Sequence, residues 1–211
     1  MGGGNKRAAF AERGNDLYET PPEAVWALLK HERLPDEIWE PACGPGSIAR
    51  VLRESGHGVF ATDLVDYGWF QQDMSGADFL MEREAPRSRV CDGAIECIVT
   101  NPPFKIAAQF VEHAIELCPR VYMLLRLAFI TAGNKNDAEG RARRAVLDGG
   151  HLARVLVFRN RLPMMHRDGW TGPQASSSTD FAWFVWDREH SGETTIKRIK
   201  WEPLRAAREV A

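Results

Sequence analysis

Asn101-Pro102-Pro103-Phe104 brings together an amide, two residues with a carbonyl but no N–H, and an aromatic ring, directly after the apolar run Ile98-Val99-Thr100. Two successive prolines cannot continue a paired central strand. Pro102 also biases Asn101 away from helical angles. A buried strand therefore stops at Thr100 and leaves a stiff ledge at its carboxyl end, which in open α/β sheets is where ligands bind. The amide oxygen, the proline carbonyl and the face of Phe104 suit a flat ligand that carries an amino group.

A second constellation lies upstream. Ile38-Trp39-Glu40 reads as a short first strand, Pro41-Ala42-Cys43-Gly44-Pro45-Gly46-Ser47 as a glycine loop, and Ile48 to Gly56 as a helix. That order brings a ligand against bare backbone and a helix N-terminus, with Gly44 and Gly46 permitting close approach. Gly44 to Ala49 also satisfies the G-x-G-x-x-A dinucleotide fingerprint. In the dinucleotide fold, however, the glycines come straight off the strand; here an acid and three further residues intervene. Glu40 would sit badly beside a pyrophosphate and acceptably beside a sulfonium cation.

Gly58 to Asp63 reads as the second strand, ending in a carboxylate positioned to accept both hydroxyls of a ribose. Leu64 follows it. Gly76-Ala77-Asp78-Phe79-Leu80 is expected to be a short third strand, and Asp73 competes with Asp78 as its functional acid. Tyr18-Glu19-Thr20-Pro21-Pro22-Glu23 reads as a helix start with Thr20 as cap and Pro21 in the first turn. Tyr18 and Thr20 are then placed to border a cofactor.

The remaining chain supplies the frame. Further strands are expected at 94–100, 121–125, 152–158 and 181–186, with an edge strand at 194–201 and a helix over 106–117. Alternating strands and helices imply a doubly wound sheet. At 211 residues and 23.7 kDa the chain suits one well-buried domain. Residues 1–15 are expected to be a flexible arm and 16–211 a single domain.

Within 131–180, Lys135, Arg141, Arg143, Arg144, Arg154, Arg159, Arg161 and Arg167 outnumber the acids, a local excess able to meet phosphates. The same span holds a long loop with His166, Arg167 and Trp170, and long loops inside compact domains are usually functional. The formal net charge of −2 gives no global attraction to nucleic acid. Cys43, Cys91, Cys97 and Cys118 lack zinc-site spacing and read as reduced thiols. No apolar run approaches the ~18 residues of a membrane span, and no signal-peptide pattern opens the chain. A cytoplasmic protein with no metal is the expectation.

Glu40 to Gly46, Asp63, Asp78-Phe79 and Asn101-Pro102-Pro103-Phe104 together resemble the ordered motifs of class I S-adenosylmethionine-dependent methyltransferases. Within these, they are most similar to the N6-adenine DNA methyltransferases. Tyr18-Glu19-Thr20-Pro21-Pro22 resembles an additional cofactor motif of small phage-type adenine methylases. The resemblance spans roughly residues 18–186 and implies a mostly parallel, seven-stranded Rossmann-like sheet with helices on both faces and an antiparallel last strand.

It also implies S-adenosylmethionine as cofactor. The methionine part would lie near Tyr18, Thr20, Glu40 and the loop Ala42, Cys43, Gly44 and Gly46. The ribose would lie on Asp63, and the adenine between Leu64, Asp78 and Phe79. Asn101 would serve both cofactor and substrate sides. Its side-chain oxygen and the Pro102 carbonyl would accept the two N–H groups of an exocyclic amine, with Pro103 stiffening the ledge. Phe104 would stack on the base, a contact worth ~1–3 kcal/mol. Lys105, His166, Arg167 and Trp170 would approach the substrate. In duplex DNA the target base must be flipped out of the stack. DNA is the expected partner. RNA (adenine N6 or guanine N2), protein glutamine and a non-catalytic binding domain remain as alternatives.

Overall fold

The apolar runs form one sheet in the computed structural model, which describes residues 17–131, 137–163 and 179–203. The elements are α1 (Pro22–His31), β1 (Glu37–Glu40), α2 (Ser47–Glu54), β2 (Gly58–Asp63), β3 (Met74–Ser75) and β4 (Cys97–Thr100), then α3 (Ala107–Leu117), β5 (Arg120–Arg126), α4 (Ala138–Asp148), β6 (Leu152–Phe158), β7 (Phe181–Asp187) and β8 (Thr195–Ile199). The sheet has eight strands in the order β3-β2-β1-β4-β5-β7-β6-β8. That is one more than expected, because the edge strand β8 adds in parallel to β6.

All pairings are parallel except those of β7, which runs antiparallel to both β5 and β6. Side chains alternate between the two faces of each strand. Cys97, Val99, Tyr122, Leu124, Trp183 and Val185 pack with residues of α1 and α2. Ile98, Val121, Met123, Phe184 and Trp186 pack with residues of α3 and α4. Burial on both faces explains why these strands read as continuous apolar runs. β7 is also tied to both helical layers: Trp183 Nε1 donates to the Ala24 carbonyl (2.9 Å) and Trp186 Nε1 to that of Val146 (2.8 Å).

The sheet reverses its winding between β1 and β4, so a crevice opens outside their carboxyl ends. Two local expectations fail there. The third strand is only Met74–Ser75; Gly76 takes φ +74°, and Asp78 instead caps a 3-10 turn, Phe79–Met81, by accepting from Leu80 N–H. Thr20 does not cap α1, whose N-cap is Pro21 without a side-chain bond. Thr20 is engaged elsewhere, as described below. No described helix is long and apolar enough to cross a membrane.

Candidate active site

β1 and β2 run side by side with Glu40 opposite Ala61, so the chain beyond Glu40 faces the tip of β2. Cys43 N–H donates to the Thr62 carbonyl (3.0 Å) and Gly44 N–H to Asp63 Oδ2 (2.8 Å), folding the glycine loop over that tip. Val65 N–H donates to Asp63 Oδ1 (2.8 Å). Both carboxylate oxygens of Asp63 thus accept from backbone and keep capacity for a ligand. The loop needs its glycines. Gly44 and Gly46 have φ of +52° and +84°, and a Cβ on Gly46 would lie 2.4 Å from the Trp69 indole. Trp69 is held in turn under the Arg53 guanidinium, 5.2 Å from its ring centre.

These elements enclose a cavity of about 330 Å³. Tyr18, Thr20, Glu40, Ala42, Cys43, Gly44, Asp63, Leu64, Asp78, Phe79, Asn101, Pro103 and Lys105 all line it. Gly46, Pro102 and Phe104 do not. Gly46 seats Trp69 instead, and Pro102 is buried. Of the two competing acids, Asp78 lines the cavity. Asp73 accepts from Ala61 N–H (2.8 Å) and pairs with Arg53 (2.8 Å) and Arg89 (3.0 Å).

The cavity lining includes two buried acids, Glu40 and Asp63. Glu40 is 1% exposed, and its Oε2 has no hydrogen-bond partner among the described residues. Burial, with Asp63 adding to it, holds its carboxyl well above the usual glutamate range. Burial raises Asp63 too, against the opposing bonds from Val65, Gly44 and Leu64 N–H. Two buried acids facing a hollow call for donors or positive charge. The Cys43 thiol is pushed up by burial, which makes it a poor nucleophile.

Asn101 stands between this cavity and the rest of the edge. Its Nδ2 donates to the Tyr18 carbonyl (2.9 Å) and to Thr20 Oγ1 (3.1 Å), which is where the Thr20 hydroxyl is used. With both amide hydrogens taken, Oδ1 is left without a partner among the described residues. The segment that orients Asn101 is itself tethered: Glu19 Oε1 accepts from Ser47 Oγ (2.6 Å) at the start of α2. Sequence reasoning missed Glu19 because a charged residue in a turn carries no signal of its tertiary partner.

On the other side of Asn101 the Phe104 ring packs on Tyr18 (4.9 Å between centroids) and Phe181 (5.8 Å), with the Arg126 guanidinium 4.5 Å over it. Arg126 was not among the expected site residues. Of the expected basic set, Arg154 forms a two-pronged pair with Glu32 (2.9 Å to each oxygen), and Arg143 pairs with Glu139 (2.7 Å). Those two charges are spent within the fold. Arg159 and Arg161 are exposed just beyond β6. His166, Arg167 and Trp170 lie outside the described residues, as does Lys135.

No family model matches the chain. Among solved structures, it superposes on a protein from Pyrococcus horikoshii described as an RNA methyltransferase (TM-score 0.56, 12% identity, 86% of this chain and 90% of that one). It superposes likewise on a protein from Vibrio vulnificus described as a modification subunit of a type I restriction enzyme (TM-score 0.54, 13% identity, 86% of this chain). A third match is a protein from Listeria monocytogenes described as a class I S-adenosylmethionine-dependent methyltransferase (TM-score 0.50, 11% identity, 89% of this chain). The chain has the class I methyltransferase fold. It spans 47% of the Vibrio subunit's length and 66% of the Listeria protein's. Because a methyltransferase fold hosts many substrates, the chemistry has to be argued from the site.

Proposed function

We propose that this chain transfers a methyl group from S-adenosylmethionine to the exocyclic N6 amino group of adenine in DNA. The observation that carries the reading is Asn101: its amide nitrogen is held by Tyr18 and Thr20, and its oxygen is left as a buried acceptor at the rim of an acidic cavity. An acceptor of that kind, beside the Pro102 carbonyl, suits an amine with two hydrogens to donate.

The lining residues fit the cofactor. Its cationic amino group would meet Glu40 Oε2, which has no partner among the described residues, and its ribose the remaining acceptor positions of Asp63. Leu64 and Phe79 offer apolar surface to its adenine, and Ala42 to Gly44 offer bare backbone to its methionine part. When bound, the cofactor supplies a methyl group activated on a sulfonium. The adenine amine is a poor nucleophile because its lone pair is delocalised into the ring. By accepting both N–H groups, Asn101 Oδ1 and the Pro102 carbonyl would turn that lone pair out of the ring plane and hold the nitrogen in line for attack. Proton loss can follow transfer, so no general base is required. Phe104 would carry the base on its face.

The same geometry serves an amine in RNA. The chain's near-complete coverage of the Pyrococcus protein, against half of the Vibrio subunit, favours keeping this second reading. Incubating the protein with labelled methyl donor and unmethylated duplex DNA, rRNA or protein extract, followed by nucleoside and amino-acid analysis, separates them. N6-methyladenine in DNA is the expected product. Label confined to RNA or protein would overturn the DNA assignment.

A further inference from the structure

The target base and Arg126 compete for one surface. β4 and β5 run parallel with Thr100 opposite Met123, so Arg126, the last residue of β5, stands beside the Asn101 ledge. Its guanidinium lies 4.5 Å over Phe104 and 5.9 Å from the Tyr18 ring centre. Phe181, paired with Arg126 across β5 and β7, backs the same ring. Three separate parts of the chain thus converge on one planar cation held over the ring at the end of the ledge.

Arg126 is otherwise unspent. It is exposed and makes no ion pair with any described acid. The acid next to Phe181, Asp180, pairs instead with Arg161 (3.4 Å). An exposed guanidinium over a half-buried ring gains only modestly, since water competes for the cation. A nucleobase of similar flatness can replace it, and the freed cation stays tethered within a side chain's length of the nucleotide that replaced it. A flipped nucleotide carries a phosphate on each side, and a guanidinium binds phosphate through charge-assisted paired hydrogen bonds.

We propose that Arg126 is a substrate-positioning residue that covers Phe104 in the free protein, yields the ring to the target base, and then neutralises a phosphate beside the flipped nucleotide. The proposal rests on the nucleic-acid reading of the site, and it goes further in assigning a role to a residue outside the methyltransferase motifs. It also predicts that Phe104 becomes available only on exchange, which keeps an apolar ring covered when no substrate is present.

The test measures binding of an oligothymidine strand carrying one adenine, and of its duplex, across a salt series. Wild type is compared with Arg126→Gln (planar, neutral), Arg126→Lys (charged, not planar) and Arg126→Ala. Loss of one phosphate contact should flatten the slope of log affinity against log salt by about 0.7 for the single strand and about 0.9 for the duplex. Arg126→Gln and Arg126→Ala are expected to show that flattening, with affinity down roughly five- to tenfold at low salt and converging on wild type at high salt. Arg126→Lys should keep the wild-type slope. Binding of S-adenosylhomocysteine and the melting temperature should be unchanged in all three.

An unchanged slope in Arg126→Gln, with wild type binding normally, would overturn the proposal while leaving the nucleic-acid reading intact. A parallel fall in cofactor binding and melting temperature would do the same by making Arg126 a packing residue. Wild type that binds neither oligonucleotide would overturn both.

Discussion

Along the carboxyl edge of the sheet, the half built on β1, β2 and β4 is acidic and enclosed, whereas the half built on β5, β6 and β8 is basic and exposed. Glu40 and Asp63 are buried at one end, and Arg126, Arg159, Arg161 and Lys200 are exposed at the other. Asn101 sits at the division. The two halves differ in how they are connected. β1 and β2 are joined through the glycine loop and α2, which curls over the strand tips and closes a cavity. β7 comes back antiparallel between β5 and β6, so that side closes on a row of rings.

The energetic consequence is asymmetric. A buried carboxylate without a partner is costly and gains most from a specific ligand, while an exposed guanidinium costs little and can meet any phosphate. The enclosed half is therefore specialised before any ligand arrives, and the open half is adaptable.

The sharpest way to break this contrast is at the division itself. Asn101→Ala removes the acceptor and should lower methyl-transfer kcat by on the order of 10²–10³-fold, with cofactor affinity nearly unchanged. An equal collapse of cofactor binding, read by calorimetry, would assign Asn101 to the enclosed half alone.

Next in size is Gly46→Ala. It puts a Cβ into Trp69 at a φ of +84°, a strain of about 1–3 kcal/mol. Chemical denaturation should show that loss together with weaker cofactor binding, while oligonucleotide binding persists.

Glu40→Gln sharpens the electrostatic side. A carboxyl whose folded pKa is raised contributes stability that is complete below its unfolded value and disappears as pH rises through the folded value. Unliganded wild type should therefore lose stability on the alkaline side of the ordinary glutamate range, and Glu40→Gln should not. Cofactor affinity should rise with pH in wild type, by up to about tenfold per pH unit below the raised pKa, because binding the ammonium group ionises Glu40. A pH-independent affinity would remove Glu40 from that contact.

The smallest effect is expected from Arg161→Ala. Its pair with Asp180 is 3.4 Å long between side chains each more than half exposed. Thermal denaturation should move by no more than about 1 kcal/mol.

Much of the enclosed half was legible in the chain. Glu40, Gly44, Asp63 and Asn101 each end a strand or shape the turn after it, and strand ends are written locally in prolines, glycines and apolar runs. Asp78 against Asp73 was not decidable that way. Only the fold shows that Asp73 is engaged by Arg53 from α2 and by Arg89. Thr20 misled for a related reason: its hydroxyl fits a helix cap locally, yet Asn101, 81 residues away, competes for it. The open half was read least well. Arg143 and Arg154 counted as free cations until Glu139 and Glu32 met them, and Arg126 resembled any charged residue closing an apolar strand.

By itself, then, the sequence determined the alternation of strands and helices, the ledge at Asn101-Pro102-Pro103-Phe104 and the glycine loop, because proline stereochemistry, positive φ and burial pattern act over a few residues. Tertiary structure alone decided which acids and cations remain available to a ligand. A side chain's last hydrogen bond or ion pair depends on whatever the sheet brings beside it. Among the described residues, the fold leaves Glu40 Oε2 and Asn101 Oδ1 without a partner and sets Arg126 over Phe104.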